Sequence, residues 1–170
     1  LYSRTVAQAI FDAPLQFEYL ARPLRMRPNT LVGLPEVSAD YRTFTFRLRP
    51  DIYFADDPAF KGQRRELVAE DYVYALKRHA TTRIEAPVFS VFAEYVIGLK
   101  DYAERVRAED AKLLAGLPRD IRDKPFLDFR QWPLAGAQVL DRYTFRLRLK
   151  GKYPQLSYWM AMPFFAPLPW

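Results

Sequence analysis

The sequence predicts an α+β fold in which an antiparallel sheet of about four strands packs against three or four helices. Two stretches, residues 41–49 and 143–150, alternate strictly between apolar and polar side chains, the pattern of a half-buried strand. Residues 68–80 instead repeat apolar side chains at helical spacing. The elements follow one another as strands, then helices, then strands, and this order favours α+β over repeated βαβ units.

The two alternating stretches share the pentapeptide Thr-Phe-Arg-Leu-Arg, at 45–49 and at 144–148. One shared pentapeptide is no repeat period, so we interpret the copies as neighbouring strands with one face on a core and one face in water. The turn residues Asp141 and Arg142 predict a tight hairpin between 137–140 and 143–149. Residues 17–24 predict a further strand, and the proline-containing stretch 23–35 predicts a connection or an edge strand.

The helix at 68–80 has acidic residues near its start and basic residues near its end, which suits the helix dipole at both ends. The remaining helical stretches are predicted at 5–10, 88–95, 101–114 and 155–162. Residues 118–133 are charged and lack periodicity, so we predict a long surface loop there.

Composition narrows the function classes. The 170 residues suit one domain, and the net charge of +6 comes from dispersed arginines rather than a basic run, which argues against a nucleic-acid partner. The absence of cysteine excludes disulfides and thiolate sites. No signal peptide and no stretch long enough to span a membrane is visible, and the apolar, proline-rich end at 160–170 leads us to expect an excerpt from a longer chain.

Catalytic constellations are missing from the sequence. His79 is the only histidine and lies on the apolar stripe of its helix, which favours a packed or capping role. The pairs Asp56-Asp57 and Glu70-Asp71 stand in a turn and at a helix start, where carboxylates serve the backbone. We predict a binding protein rather than an enzyme, with no catalytic residue, cofactor or metal site. A hydrolase using Asp56, Asp57 or Asp71 is the weaker alternative.

Among many aromatic side chains, Tyr158 and Trp159 are the candidates for contact with a ligand. They stand close to the proline-rich end, and amphipathic rings of this kind suit peptide and sugar surfaces. Packing in or near the core is the competing interpretation of both.

In this order along the chain, the motifs resemble the family 5 extracellular solute-binding proteins of the oligopeptide- and dipeptide-binding type. An aromatic alternating strand ending in Leu48-Arg49 is followed by a helix opening Ala69-Glu70-Asp71. The usual Asp-Gly turn between them is replaced by a longer loop at 56–62. The resembling segments are 34–40, 43–50, 52–57, 69–78, 97–99, 139–145, 153–155 and 161–167.

The resemblance implies that residues 1–170 form a single α+β subdomain, the extra subdomain of the first lobe, in a longer, two-lobed receptor of the periplasmic binding protein type II-like class. It also implies that the peptide lies between the lobes and meets residues mainly outside this stretch. Such a receptor captures an oligopeptide in the periplasm and delivers it to an ABC transporter permease. The partners implied are the peptide, the permease and the remaining lobes of the same chain. Two alternatives stay open: a stand-alone protein-interaction domain, and the same importer class with a metal chelate, haem or glycan as ligand.

Overall fold

The computed structural model describes residue 6 and residues 9–84, 86–118, 121 and 125–170. Half of the helical turn predicted at 5–10 lies outside these residues. The described strands are β1 (Leu15–Phe17), β2 (Met26–Pro28), β3 (Glu36–Val37), β4 (Thr43–Arg47), β5 (Ala137–Asp141) and β6 (Thr144–Arg148). The described α-helices are α1 (Ala69–Arg78), α2 (Phe89–Tyr95), α3 (Leu99–Leu114) and α4 (Leu156–Trp159).

Four of the strands form one antiparallel sheet in the order β3-β4-β6-β5, and β1 pairs with β2 in a separate hairpin. The two strands that carry the shared pentapeptide, β4 and β6, are neighbours in the centre of the larger sheet, with Phe46 opposite Phe145. The predicted hairpin is the β5–β6 pair, which has an irregular register near Asp141. The α+β prediction, including a sheet of four strands, is confirmed.

The core lies between this sheet and α1. Phe46 and Phe145 stack with their ring centroids 4.7 Å apart, and Tyr72 of α1 stacks on Phe145 at 5.0 Å. All three rings are buried because the alternation of the strands and the stripe of the helix point to the same layer. The alternate side chains of β4, such as Thr43 and Thr45, are only half-buried.

The helix α1 begins where the sequence predicts it, and Asp71 explains why. This residue is the third of the helix, and its carboxylate accepts a hydrogen bond from the backbone N–H of Val68 at 2.8 Å. That bond satisfies a donor that would otherwise be unpaired at the helix start. At the other end, His79 ends the helix, and its Nε2 lies 2.9 Å from the carbonyl oxygen of Phe164.

The strand predicted at 17–24 is wrong beyond its first residue. β1 ends at Phe17, and the chain then makes a loop before β2 begins at Met26. The alternating pattern misled because it does not reflect a buried face: Tyr19 is 89% exposed and Leu20 is 85% exposed. β2 itself lies in the stretch predicted as a connection or an edge strand.

Part of the loop predicted at 118–133 lies outside the described residues. In its described second half, Leu127 and Phe129 are buried, and a short 3-10 turn spans Phe129–Gln131. The hydroxyl of Tyr102 donates to the carbonyl of Phe129 at 2.5 Å. This half of the segment therefore packs against α1 and α3.

Candidate ligand-binding groove

A groove of about 610 Å³ opens between the first and last described segments of the chain. One wall is formed by residues 10–12, the other by residues 167–170, and the loop at 55–60 closes one side. Its volume falls within the usual range for small-ligand sites. Most of its surface is apolar, supplied by Ile10, Phe11, Ile52, Phe54, Phe60, Leu67, Pro167, Leu168, Pro169 and Trp170.

The floor of the groove is an extended ribbon that joins 52–54 to 65–67. The N–H of Phe54 donates to the carbonyl of Arg65 at 2.9 Å, and the N–H of Leu67 donates to that of Ile52 at 2.8 Å. This pairing fixes the side chains of Ile52, Phe54 and Leu67 in the groove lining. The floor is therefore preformed by backbone hydrogen bonds.

Trp170 forms a wall of the groove and is 52% exposed. The guanidinium of Arg130 lies 3.9 Å from the centre of its indole ring, and that of Arg65 lies 5.6 Å away. Cation–π contacts of this kind hold an aromatic ring without covering all of it. Arg130 is itself fixed by Asp128, with 2.8 Å between Nη2 and Oδ2.

Asp71 ties the wall of the groove to the start of α1. Its buried carboxylate lies 2.5 Å from the guanidinium of Arg65, and its backbone carbonyl accepts from the N–H of Leu168 at 3.5 Å. Burial raises the pKa of this carboxyl from 3.8 to about 6, and the bond from Val68 and the charge of Arg65 offset only part of that effect. Asp71 is thus a structural anchor below the groove.

The carboxylates considered for catalysis are not gathered in one site. Asp57 lies at the rim of the groove, and its Oδ1 accepts from the N–H of Ala59 at 2.8 Å at the start of a 3-10 turn. Asp71 is buried in the first turn of helix α1. Within the described residues, no group of three His, Cys, Asp or Glu side chains is arranged to hold a metal ion.

The two aromatic candidates from the sequence lie outside this groove. Tyr158 is 48% exposed, and its ring stacks on Phe17 of β1 at 6.3 Å. The indole N–H of Trp159 donates to the hydroxyl of Tyr153 at 2.7 Å, and its ring meets Phe92 edge-on at 5.6 Å. A ligand contact through either residue stays a hypothesis from the sequence, and the groove is the competing hypothesis.

Sequence reasoning did not identify the groove. Its walls come from segments more than a hundred residues apart, and only the tertiary fold brings them together. The one available signal was the run of apolar residues and prolines at 160–170, which is unusual for a surface segment.

None of the described helices is long and apolar enough to cross a membrane.

Comparison with solved structures finds the same fold in several peptide-binding proteins. The murein tripeptide binding protein MppA of Escherichia coli superposes with a TM-score of 0.67 at 17% identity, over 99% of this chain and 26% of that one. Haemophilus influenzae OppA in complex with RPPGFSPFR gives 0.66 at 18% identity, over 98% and 26%. Listeria monocytogenes OppA bound to peptide gives 0.65 at 18% identity, again over 98% and 26%.

These likenesses show that the fold is shared, and the chain spans about a quarter of the length of these structures. No curated protein matches the sequence. Residues 25–169, in contrast, match the family model described as bacterial extracellular solute-binding proteins, family 5, middle region. The chain belongs to the family 5 bacterial extracellular solute-binding proteins.

Proposed function

We propose that this chain is one part of a periplasmic receptor that captures peptides and passes them to an ABC transporter permease. The observation that carries the proposal is the family match over residues 25–169. The peptide-bound structures of similar fold support a peptide as the ligand class. Delivery to a permease follows from the role of the family in import.

The groove between 10–12 and 167–170 is the surface through which this part of the receptor faces the ligand. It combines an apolar lining with a preformed floor, and the exposed ring of Trp170 is available for further contacts. A peptide offers apolar side chains for such a lining. Neighbouring parts of a longer receptor would supply the groups that hold the peptide backbone.

A stand-alone interaction domain is the less supported alternative. The similar structures contain this fold as about a quarter of a larger chain, which favours a part over an independent module. A metal chelate, haem or glycan as ligand remains compatible with the family. No described feature of the groove favours one of these, since its lining offers no cluster of metal-ligating side chains among the described residues.

Isothermal titration calorimetry of the full-length receptor tests the ligand class. Peptides of two to nine residues should bind with micromolar or tighter affinity, whereas haem, metal chelates and oligosaccharides should give no heat of binding. Tight binding of one of these other ligands, with no response to any peptide in a mixed library, would contradict the proposal.

A further inference from the structure

The loop that joins β1 to β2 is the most exposed apolar part of the described chain. The last rung of the hairpin is the bond from the N–H of Glu18 to the carbonyl of Arg25, at 2.9 Å. Beyond it, residues 19–24 form the tip, in which Arg22 is the only charged residue. Tyr19, Leu20 and Leu24 in this tip are 89%, 85% and 59% exposed. Such a concentration of exposed large apolar side chains on one loop indicates a contact surface.

Hydrogen bonds within the tip pair part of its backbone. Nη1 of Arg22 donates to the carbonyl of Ala21 at 2.8 Å and to the carbonyl of Tyr19 at 3.3 Å. The N–H of Ala21 donates to the carbonyl of Glu18 at 3.3 Å. Backbone groups that are already paired lose little when water is removed from around them. These bonds fix the turn that exposes Tyr19 and Leu20, and a position at the boundary of an apolar phase would leave water to the other backbone groups.

Positive charge lies directly behind the apolar tip. Arg25, just before β2, and Arg27, within it, are exposed, and Glu18 is the only acidic residue between 17 and 27. Arg22, Arg25 and Arg27 also line one shared concavity with the base of the tip, of about 610 Å³. Along the hairpin, the surface thus changes from apolar at the tip to cationic one or two rungs away.

We propose that this hairpin tip docks on an anionic phospholipid surface. Tyr19, Leu20 and Leu24 would enter the boundary between headgroups and acyl chains, where tyrosine and leucine are stable. Arg25 and Arg27 would remain at the level of the headgroup phosphates, with their aliphatic stems along the apolar region. The succession of an apolar tip and a cationic base matches the succession of acyl chains and phosphates at such a surface.

The proposal concerns a surface distinct from the groove and does not depend on which ligand the receptor binds. The experiment is flotation of the full-length receptor, prepared without covalent lipid, with vesicles of phosphatidylglycerol and phosphatidylcholine in equal amounts. Binding is expected to these vesicles at low salt, to be weak with pure phosphatidylcholine and to fall as salt screens the charges.

Two pairs of variants separate the contributions. Arg25→Gln with Arg27→Gln should weaken partitioning about fivefold per arginine, whereas Arg42→Gln with Arg105→Gln removes the same charge from exposed sites elsewhere and should have a much smaller effect. Tyr19→Ser with Leu20→Ser should weaken partitioning onto the vesicles about tenfold. Leu113→Ser with Phe126→Ser removes exposed apolar residues elsewhere and should leave partitioning unchanged.

Several outcomes would overturn the proposal. One is absence of binding to any vesicle, and another is equal binding by the hairpin variants and their controls. A third is binding of inorganic phosphate by a receptor that binds no vesicles, which would indicate a site for a free anion in the concavity. A fourth is a clear loss of thermal stability in the Tyr19→Ser/Leu20→Ser receptor, which would indicate that the tip is covered by another part of the same protein.

Discussion

The carboxylate of Asp71 and the guanidinium of Arg65 lie 2.5 Å apart, with Asp71 wholly buried and Arg65 only partly so. The same carboxylate accepts from the N–H of Val68 at the start of α1, and the backbone carbonyl of Asp71 accepts from the N–H of Leu168 in the wall of the groove at 3.5 Å. Arg65 belongs to the ribbon that forms the groove floor. Asp71 therefore joins the helix, the floor and the wall.

Asp71 should make the stability of the protein depend on pH. Its pKa is about 6 in the folded chain and near 3.8 when unfolded, so between these pH values the folded chain holds a proton that the unfolded chain has released. The contribution of Asp71 to the free energy of unfolding is therefore fully present below about pH 4 and is lost as pH rises through about 6. The total loss is about 3 kcal/mol. Urea unfolding of the wild type and of Asp71→Asn at several pH values measures this dependence on pH.

Asparagine keeps the shape of the side chain and an acceptor for Val68 but does not titrate. The difference in free energy of unfolding, wild type minus Asp71→Asn, should shrink by about 3 kcal/mol from pH 4 to pH 7. Asp57→Asn removes a carboxylate from an exposed cap of a 3-10 turn and serves as the control for the loss of one negative charge. A difference that grows with pH would show that the ion pair with Arg65 outweighs burial.

The ion pair between Asp110 and Arg83 should contribute more to stability than the neighbouring surface pair. Asp110 is buried, lies 2.5 Å from Nη2 of Arg83 and accepts from the hydroxyl of Thr81 at 3.1 Å. Asp110→Asn leaves the guanidinium without its counter-charge and should lower the free energy of unfolding by about 3 kcal/mol. Chemical denaturation monitored by tryptophan fluorescence measures the change.

Glu109→Gln is the matched control, because Glu109 pairs with Lys112 at 2.7 Å on the exposed side of the same helix. It should change the free energy of unfolding by less than about 0.5 kcal/mol. Equal effects of the two substitutions would mean that burial of the Asp110 pair makes no difference.

Gly136 should not tolerate a side chain. A Cβ at this position would lie 2.5 Å from the carbonyl oxygen of Ile97 and 2.6 Å from Cγ1 of Val96. Gly136→Ala should therefore separate the start of β5 from the segment before α3 and lower the free energy of unfolding by about 2 kcal/mol. A Cβ at Gly151 meets nothing within 4 Å.

Gly151→Ala should accordingly change stability by less than about 0.5 kcal/mol, measured in the same denaturation experiment. If Gly136→Ala is equally harmless, the close approach of β5 to Val96 and Ile97 does not exist in solution.

Local patterns predicted the central part of the fold because each pattern coincides with a buried layer. The alternation around Phe46 and Phe145 and the stripe that includes Tyr72 meet in one core, so periodicity and tertiary structure agree there. At Tyr19 and Leu20 they disagree, since apolar residues stand at an exposed tip and the pattern describes no core. Periodicity cannot distinguish an apolar residue that packs in the core from one that is exposed on a loop.

The groove could not be predicted for a different reason. Phe11 and Trp170 line it from opposite ends of the chain, and no local pattern encodes that meeting. The sequence directed attention to Tyr158 and Trp159 because of their residue types. In the structure, Trp159 is engaged with Tyr153 and Phe92, and Tyr158 stacks against the hairpin that carries the exposed tip.

Peptide affinity of groove variants tests the central claim most directly. Phe11, Trp170 and Tyr158 are aromatic residues of similar exposure, at 45%, 52% and 48%, so alanine at any of them should leave the fold intact. In calorimetry on the full-length receptor, Phe11→Ala and Trp170→Ala should each weaken peptide binding about tenfold, and Tyr158→Ala should not. Unchanged affinity in both groove variants, or a loss confined to Tyr158→Ala, would contradict the account.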